Sequence, residues 1–312
     1  TKFLINDFDW KFKRFYFPSG LQGRFLGKIR NVNYEAKNTT FKKTGASLFK
    51  EDPTNELFGA IGYLTEIDLI KETKNNSTHS LTPKILLRYA PGHMRKESKY
   101  TRIKPRNVFT LDRLNSYNNL ESGASSSLGF DYKIKNKKGK FDFSLAQIIN
   151  DKENKKMPSS SSLDEKLSDV IGKSKFTSSG SKVGLTYEYA LDQNYKNLNY
   201  NGIESTFDLN PIKINFGYVQ EKKHIGNLEY LTTKLDYSKN QNNLLSFKTK
   251  RSLVTNSAEY YNLSYEYLND CLRAGLVYRR EFYNDSELEP ENSIMFKVTL
   301  IPFGDIEAPA FG

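Results

Sequence analysis

The sequence predicts an all-β protein, more specifically an antiparallel transmembrane β-barrel of about 15 strands. Three features support this prediction. Apolar and polar residues alternate along many segments, no segment has a sustained helical period, and short and long connections alternate between the segments. The chain of 312 residues also contains 20 Tyr and 21 Phe, residue types that favour strands.

Alternation with a period of two is clearest in residues 183–191, where every odd position is apolar or aromatic. The even positions are Gly, Thr, Glu and Ala, so a strand here would have two chemically different faces. The same alternation occurs at 212–219, 263–267, 272–279 and 294–300 and, more weakly, at 57–69, 124–134, 141–149, 203–209 and 231–237. The one helix-like piece, residues 163–171, is short.

The connections between these segments are of two kinds that follow each other in order. Short ones are predicted at 18–20, 210–211, 239–242 and 269–270, and longer polar ones at 37–56, 90–120, 150–167, 221–227, 251–258 and 284–292. Outer-membrane barrels have short periplasmic turns and longer extracellular loops. To keep this order, residues 168–177 must form an additional strand, with a turn at 178–181. The strand number is then odd, whereas bacterial barrels close with an even number, so we expect the N-terminal part of the barrel to be missing.

The composition excludes helical membrane spans but not a barrel. The chain has 37% hydrophobic residues and a net charge of +11, with a mean hydropathy of −0.66. The longest apolar runs, such as 85–87, contain only a few residues, whereas a transmembrane helix needs about 20. A barrel strand needs an apolar residue only at every second position. Residues 1–10 show no signal peptide, which leaves either a cytosolic protein or a mature or truncated piece.

The two faces of the predicted strands differ in charge. A charge on the lipid face of a barrel costs about 2–4 kcal/mol at the bilayer midplane, and the apolar faces carry almost no charge at their central positions. The opposite faces carry Lys182, Glu188, Glu204, Asp208, Lys213, Glu266, Arg273, Arg279, Glu281 and Lys297. We expect a wet interior. A soluble β-sandwich with solvated polar faces is the alternative, but the sorting of loops and the strand lengths favour the barrel.

The last predicted strand ends in an aromatic residue near the chain terminus. It contains the residues Phe296, Val298, Leu300, Pro302 and Phe303. This pattern is typical of the assembly signal of outer-membrane barrels. Proline cannot donate a hydrogen bond to a sheet, so Pro302 belongs at a strand end, an edge or a bulge. An ordinary terminal strand is the simpler interpretation.

Three stretches resemble the C-terminal barrel region of the LPS-assembly outer-membrane protein family LptD, also described as the OstA C-terminal family. They are LTPKILLRYAP at 81–91 with LDRLNSYNNLESG at 111–123, PSSSSLDEKLSDVIG at 158–172, and YLNDCLRAGLVYRR at 267–280 with the terminal 300–303. Each stretch alone is moderately specific, but their order and spacing strengthen the resemblance.

The resemblance implies that residues 1–312 are the C-terminal part of a lipopolysaccharide translocon, without the N-terminal periplasmic domain and the first strands. Lipopolysaccharide would move through a hydrophilic lumen and a lateral seam between the first and last strands into the outer leaflet. The implied partners are lipopolysaccharide, a plug lipoprotein of the LptE type, a periplasmic bridge protein of the LptA type and the barrel-assembly machinery. The implied location is the outer membrane of a Gram-negative bacterium. Neither enzymatic activity nor nucleic-acid binding is expected.

The resemblance also gives a role to Cys271. In the family a cysteine at this turn is disulfide-bonded to the periplasmic N-terminal domain. Many members have adjacent cysteines here, whereas this sequence has Asp270 before Cys271. An unpaired buried thiol is the alternative.

Four cations are candidates for contact with polyanionic cargo in the lumen, through charge-assisted hydrogen bonds to phosphate. They are Lys213, Arg273, Arg279 and Lys297. Ion pairs with luminal Glu and Asp are the alternative for each. The loop 90–120 carries six further cations, at 95, 96, 99, 102, 104 and 106. It could fold into the lumen or contact surface lipopolysaccharide, although a charged run is more often a solvated loop.

Other classes of protein fit the sequence less well. A porin-like or uptake channel is the nearest alternative. A soluble basic β-protein that binds nucleic acid needs aromatic and cationic residues on one face, and here they segregate. The Ser run 159–162 lacks a Gly-x-Ser-x-Gly context, which argues against an acyl hydrolase. One Cys and three scattered His make a metal site improbable, and no cofactor is expected.

Overall fold

The computed structural model describes residues 2–35, 40–43, 46–49, 54–97, 102–114, 116–240, 242–282, 292–300 and 304–307. Its strands are β1 (Lys2–Lys11), β2 (Phe15–Tyr16), β3 (Leu21–Glu35), β4 (Thr40–Lys43), β5 (Ala46–Phe49), β6 (Thr54–Ile67), β7 (Leu69–Glu72), β8 (Thr78–Ala90), β9 (Gly123–Asn136), β10 (Gly139–Asn150), β11 (Val170–Ser178), β12 (Val183–Leu191), β13 (Leu198–Leu209), β14 (Ile212–Glu221), β15 (Leu228–Asn240), β16 (Asn243–Ser252), β17 (Ser257–Leu268), β18 (Leu272–Glu281), β19 (Asn292–Leu300) and β20 (Gly304–Glu307).

The strands form one 18-stranded antiparallel sheet and a separate β4–β5 hairpin. Fifteen of the described strands have 9–15 residues, and each pairs with the next long strand along the chain. The short strands β2, β7 and β20 pair with β3, β8 and β19. Within the described residues no pairing joins β1 to β19, so the sheet is open. The prediction of an all-β antiparallel sheet with about 15 long strands is confirmed.

Helix is almost absent from the described part of the chain, where two three-residue 3-10 helices, Ser159–Ser161 and Ser179–Ser181, are the only helical elements. None of the described helices is long and apolar enough to cross a bilayer. The helix-like residues 163–171 instead form the end of a loop and the start of β11, which pairs with β10 and β12. The strand predicted at 168–177 is therefore confirmed as Val170–Ser178.

The alternation of short and long connections is confirmed for most of the predicted connections. Two residues join β9 to β10, β13 to β14 and β15 to β16, whereas 32 residues (91–122) join β8 to β9 and 19 residues (151–169) join β10 to β11. The connection predicted to be long at 251–258 has only four residues, 253–256, as many as the turn 179–182 between β11 and β12. The two longest of these connections, 91–122 and 151–169, leave the same end of the sheet. We call this the long-loop end.

Pro83 lies inside β8 and explains an interruption in its neighbour. Since proline has no amide proton, it cannot complete a ladder. The partner strand is broken at Asp68, between β6 and β7, opposite this part of β8. Thr82 donates a hydrogen bond to the Asp68 carboxylate at 2.7 Å, so a side chain joins the two strands where the backbone ladder is interrupted.

One face of the sheet is apolar and exposed along its whole width. In antiparallel ladders directly opposed residues share a face. Leu263 is opposed by Tyr278, and Leu276 by Phe296, and these four side chains are 39–51% exposed. The same face continues through Phe247, Leu235, Phe216, Leu185, Phe176, Leu128, Leu87, Ile61, Phe25 and Phe8. We call this the outer face and its opposite the inner face.

The inner face is of two kinds. From β12 to β19 it carries charged and small polar residues, as expected for a wet interior. From β3 to β11, however, two apolar clusters cover it. The first contains Leu26, Val32, Phe58, Ala60, Leu64, Leu86 and Ala90 with Leu111 and Leu120 of the 91–122 connection. The second contains Met94, Ile103, Val108 and Leu114 with Ala146, Ile148, Met157, Leu163 and Ile171. The expectation of a wet interior throughout is wrong here, because the 91–122 and 151–169 connections fold against the inner face.

Replacing Leu86 by Ala tests this packing. Leu86 is fully buried against the first cluster, so the Leu86→Ala variant should lose about 2–5 kcal/mol of unfolding free energy. The neighbouring Leu87 is 55% exposed on the outer face and belongs to neither cluster, so Leu87→Ala is the matched control. It loses lipid contact but leaves no internal cavity, so its loss should be smaller than that of Leu86→Ala. Urea unfolding in bilayers measures both variants, and equal losses would contradict the inward fold of the 91–122 connection.

Candidate functional site: the inner face and its two inward-folded loops

Two arginines on the inner face hold the backbone of the 91–122 connection. Arg30 of β3 donates hydrogen bonds to the carbonyl oxygens of Ser116 and Asn119, the latter at 2.9 Å. It also pairs with the carboxylates of Asp7 at 2.7 Å and Asp112 at 3.0 Å. Arginine suits this position because its planar guanidinium has five donors in a fixed arrangement. One side chain thus joins β1, β3 and the connection.

Arg88 of β8 extends this attachment. It donates to the carbonyl oxygens of Leu111 at 2.8 Å and Glu121 at 2.5 Å. Within the connection, the fully buried Arg113 donates to both carboxylate oxygens of Glu121, at 2.8 Å and 2.5 Å. Removing one partner of such a pair leaves an uncompensated buried charge, whereas replacing both is far less costly. The Arg113–Glu121 pair therefore fixes the shape of the connection.

A second buried cluster lies at the long-loop end of β11 to β14. His224, in the connection that follows β14, approaches the Glu221 carboxylate with Nδ1 at 2.9 Å and the Asp169 carboxylate with Nε2 at 2.8 Å. Asn199 donates to the same Asp169 oxygen at 3.0 Å. His224, Glu221 and Asp169 are each no more than 2% exposed. Only the doubly protonated imidazolium can donate to both carboxylates.

The pKa of His224 reflects these contacts. Burial acts to lower the pKa, but the hydrogen bonds to Asp169 and Glu221 and the charges of the two carboxylates outweigh it, and the pKa is raised. An imidazole with a raised folded-state pKa stabilises the fold fully below its unfolded pKa. That contribution is lost as the pH rises through the raised value.

The His224 cluster also binds the 91–122 connection. Arg102 of this connection donates to the second carboxylate oxygen of Glu221 at 2.8 Å. Its guanidinium lies 3.3 Å from the centre of the Tyr200 ring, which is a cation–π contact. The connection is therefore tied to β3 and β8 by Arg30 and Arg88, and to β13 and β14 by Arg102. The interpretation of 90–120 as a solvated loop is wrong, and the possibility that it folds into the lumen is correct.

Among the other predicted cations of this connection, one is held by contacts to strands and three are exposed. Arg95 pairs with Glu56 of β6 and lies over the Tyr34 ring. Lys96, Lys104 and Arg106 are exposed. Lys99 lies outside the described residues.

The four cations predicted to face the lumen all lie on the inner face. Arg273 pairs with Glu266 at 2.9 Å, and Arg279 pairs with Glu281 at 2.6 Å, so the alternative of luminal ion pairs holds for both. Lys213 is exposed and lies in register between Asp208 and Asp236, and Lys297 is exposed opposite Gly275. Similar pairs occur nearby, between Lys173 and Glu188, Lys234 and Asp236, and Lys250 and Glu259. The inner face of β11 to β19 is thus a surface of exchangeable ion pairs. Contact of the four cations with cargo stays a prediction.

Cys271 lies in the short turn between β17 and β18 and is exposed, so the alternative of a buried thiol is wrong. Asn269 shapes this turn, because its side-chain oxygen accepts hydrogen bonds from the amides of Cys271 at 3.0 Å and Leu272 at 2.7 Å. An exposed thiol on the short-turn side is accessible to a partner. Its pairing stays a prediction.

The predicted terminal strand is β19, which contains Phe296, Val298 and Leu300 and pairs with β18. Phe296 is 51% exposed on the outer face. Residues Pro302 and Phe303 lie outside the described residues. The short strand β20 pairs with the end of β19, so a further strand follows the predicted last one.

The wide antiparallel sheet, with an apolar outer face, a charged inner face and long loops at one end, defines a protein of the outer-membrane β-barrel class. Residues 8–267 match the family described as LptD, LPS transport system D, and the chain belongs to this family. No curated protein matches the chain.

Solved porin structures are among the similar ones. A mutant of the Rh. blastica porin shares 13% identity, with a TM-score of 0.38 over 96% of this chain and 90% of that chain. A triple mutant of the Rhodopseudomonas blastica porin shares 12% identity, with a TM-score of 0.34 over 98% of each chain.

The pH dependence of the Arg102 attachment can be measured. The ordinary His pKa is about 6.5, and that of His224 is higher, so the cluster should be intact below about pH 6 and loosen as the pH rises through the raised value. Hydrogen exchange of the connection segment 102–114 should therefore accelerate beyond the intrinsic rate as the pH rises from about 6 through the raised pKa of His224.

The His224→Gln variant should remove that pH dependence, because glutamine does not titrate. His93 lies in the 91–122 connection, and its side chain is 52% exposed. The His93→Gln variant is therefore the matched control and should retain the pH dependence. Identical profiles for the wild type and His224→Gln would refute the assignment.

A double-mutant cycle tests the buried Arg113–Glu121 pair. The Arg113→Met variant should lose about 3–5 kcal/mol of unfolding free energy, because Glu121 is left buried without its cation. The double variant Arg113→Met and Glu121→Met should recover most of that loss. Additive losses in urea unfolding would show that the two side chains act independently.

Proposed function

We propose that this chain is part of a translocon that inserts lipopolysaccharide into the outer leaflet of a Gram-negative outer membrane. Membership of the LPS transport system D family carries the proposal. The inner face of β11 to β19 supports it, since its cations and carboxylates suit the polyanionic, phosphorylated head of lipopolysaccharide. The acyl chains would leave through a lateral seam that involves β19.

Exchangeable ion pairs favour passage over tight binding. An exposed pair such as Arg273–Glu266 contributes about 0–1 kcal/mol, so a phosphate can replace the carboxylate at small cost. A row of such pairs offers successive sites of similar affinity. The path then needs no deep binding site that would retain the cargo.

The covered inner face of β3 to β11 argues against a porin-like channel as the main function. Two connections pack there as apolar clusters, and buried arginines hold one of them. Such packing narrows the interior on the side of β3 to β11. A partly covered long-loop end suits a protein that passes its cargo sideways.

The proposal extends to partners. The bridge protein of the LptA type, the plug lipoprotein of the LptE type and the barrel-assembly machinery follow from the family resemblance. Cys271 would form its disulfide with the periplasmic N-terminal domain, to which its exposed turn on the short-turn side is accessible.

Site-specific photo-crosslinking in cells tests the path. Lys213 lies at the short-turn end of β14 on the inner face, and the adjacent Ile212 is 38% exposed on the outer face. With a photoreactive residue in the full-length protein, position 213 should capture lipopolysaccharide. Position 212 should not, because it faces phospholipid of the periplasmic leaflet. Equal capture, or none at 213 while lipopolysaccharide reaches the cell surface, would contradict the luminal path.

A further inference from the structure

The outer face has an unusual depression at the long-loop end of β8 to β10. Leu87 and Tyr89 of β8 form one wall, and Ile149 of β10 forms the other. Between them, β9 presents only Ala124 and Ser126, which lie opposite Tyr89 and Leu87 in the ladder. Small residues between large ones leave a trough, which continues towards Phe25 and Tyr63 as a cavity of about 520 Å³.

A second cavity of about 480 Å³ adjoins the trough at its long-loop end. The two cavities share Tyr89, Ala124, Asn150 and Asp151. The second one is lined by Lys152, Lys155 and Lys156 of the 151–169 connection. An apolar groove on the outer face and a basic pocket at its long-loop rim are therefore continuous.

The charges of the basic pocket favour an anion. Lys152, Lys155 and Lys156 are exposed, and no ion pair involves them in the part of the chain that the structure describes. Lys96 adds a fourth exposed cation, because the adjacent Glu97 amide donates to the Lys156 carbonyl at 2.8 Å. Two exposed carboxylates, Asp151 and Glu153, lie on the same rim. The third lining carboxylate, Glu121, is buried and is neutralised by its ion pair with Arg113, so the exposed cations are compared with the first two. The cations outnumber them by two.

We infer that this composite cavity is a binding site for one lipopolysaccharide molecule of the outer leaflet. An acyl chain would lie in the trough, and the phosphorylated sugar would contact the lysines. The chemistry fits because Leu87, Tyr89 and Ile149 give the trough apolar walls, with Asp151 at its junction with the basic pocket. Ammonium groups form strong hydrogen bonds with phosphate. A phospholipid with a zwitterionic head would gain much less from the basic rim.

The site is distinct from the seam and the lumen, since it lies on the outer face of β8 to β10, many strands away from β19. A lipid held there would sit beside the 151–169 connection, which packs with the 91–122 connection inside. The inference rests on the proposed outer-membrane location. It does not depend on the luminal path.

Photo-crosslinking of the full-length protein in nanodiscs tests the site. The discs contain phosphatidylethanolamine with or without lipid A, and p-benzoylphenylalanine replaces Ser126. The matched control position is Thr249, an outward residue that is the fourth from the long-loop end of β16, as Ser126 is of β9. The loop after β16 carries no charge at 253–256, and the exposed cation Arg251, beside Thr249 on the outer face, donates to Asn256 at 2.6 Å. Lipid A should be captured several-fold more at 126 than at 249, and phospholipid equally at both.

Substitution of the lysines of the basic pocket distinguishes specific binding of lipid A from non-specific contact with bulk lipid. The triple variant Lys152→Ala, Lys155→Ala and Lys156→Ala should lose most of the excess capture at 126. The control triple variant Lys135→Ala, Lys137→Ala and Lys138→Ala changes exposed lysines at the opposite end of the same β9–β10 hairpin and should keep it. Equal capture of lipid A at both positions, or no effect of the first triple variant, would overturn the site.

The same variants distinguish the site from the proposed function. If lipopolysaccharide reaches the cell surface normally while position 126 captures no lipid A, the site is refuted and the transport function stands. If position 126 captures lipid A but depletion of the protein leaves surface lipopolysaccharide unchanged, the site stands and the transport function is refuted.

Discussion

Hydrogen bonding between neighbouring strands is the constraint on which the rest of the structure depends. In hydrocarbon each unpaired peptide group costs several kcal/mol, so long strands must pair on both sides. Antiparallel pairing then places directly opposed residues on one face of the sheet. For example, Phe247 lies between Leu235 and Leu263 of the neighbouring strands, and all three face outward. The apolar band passes from strand to strand in this way, and almost all charge is confined to the inner face.

This confinement produces different interiors in the two parts of the sheet. Where β3, β6 and β8 carry Leu26, Phe58 and Leu86 inward, the inner face is apolar and must be covered. The long connections supply the cover with their own apolar residues. Where β12 to β19 carry charges inward, ion pairs with neighbouring strands suffice and water can remain. The amino-acid sequence of the inner face thus determines where loops fold inward and where a path stays open.

The strands could be predicted from the sequence because a period of two depends only on local order. Parity also placed Arg273 correctly on the inner face, since its neighbours Leu272 and Ala274 belong to the apolar side of the strand. The partners of Arg88 could not be predicted, because they are backbone carbonyls 23 and 33 residues away. The His224 cluster was missed for the same reason: Asp169 and His224 are 55 residues apart, and no spacing motif joins them. The charged 91–122 connection looked solvated because its hydrophobic residues lack any regular period.

The two attachments of the 91–122 connection differ in kind, and this difference has a physical consequence. Arg30 and Arg88 donate to four carbonyl oxygens of the connection, whose acceptor strength does not change with pH. Arg102 binds one carboxylate oxygen of Glu221, and the other oxygen of the same carboxylate contacts His224. Should the imidazole lose its proton, Asp169 and Glu221 would remain buried with less positive charge around them, and such burial is costly. Neutral His224 would therefore destabilise the cluster without weakening the attachment to β3 and β8. The attachment to β3 and β8 should therefore persist at a pH at which the Arg102 attachment is weakened.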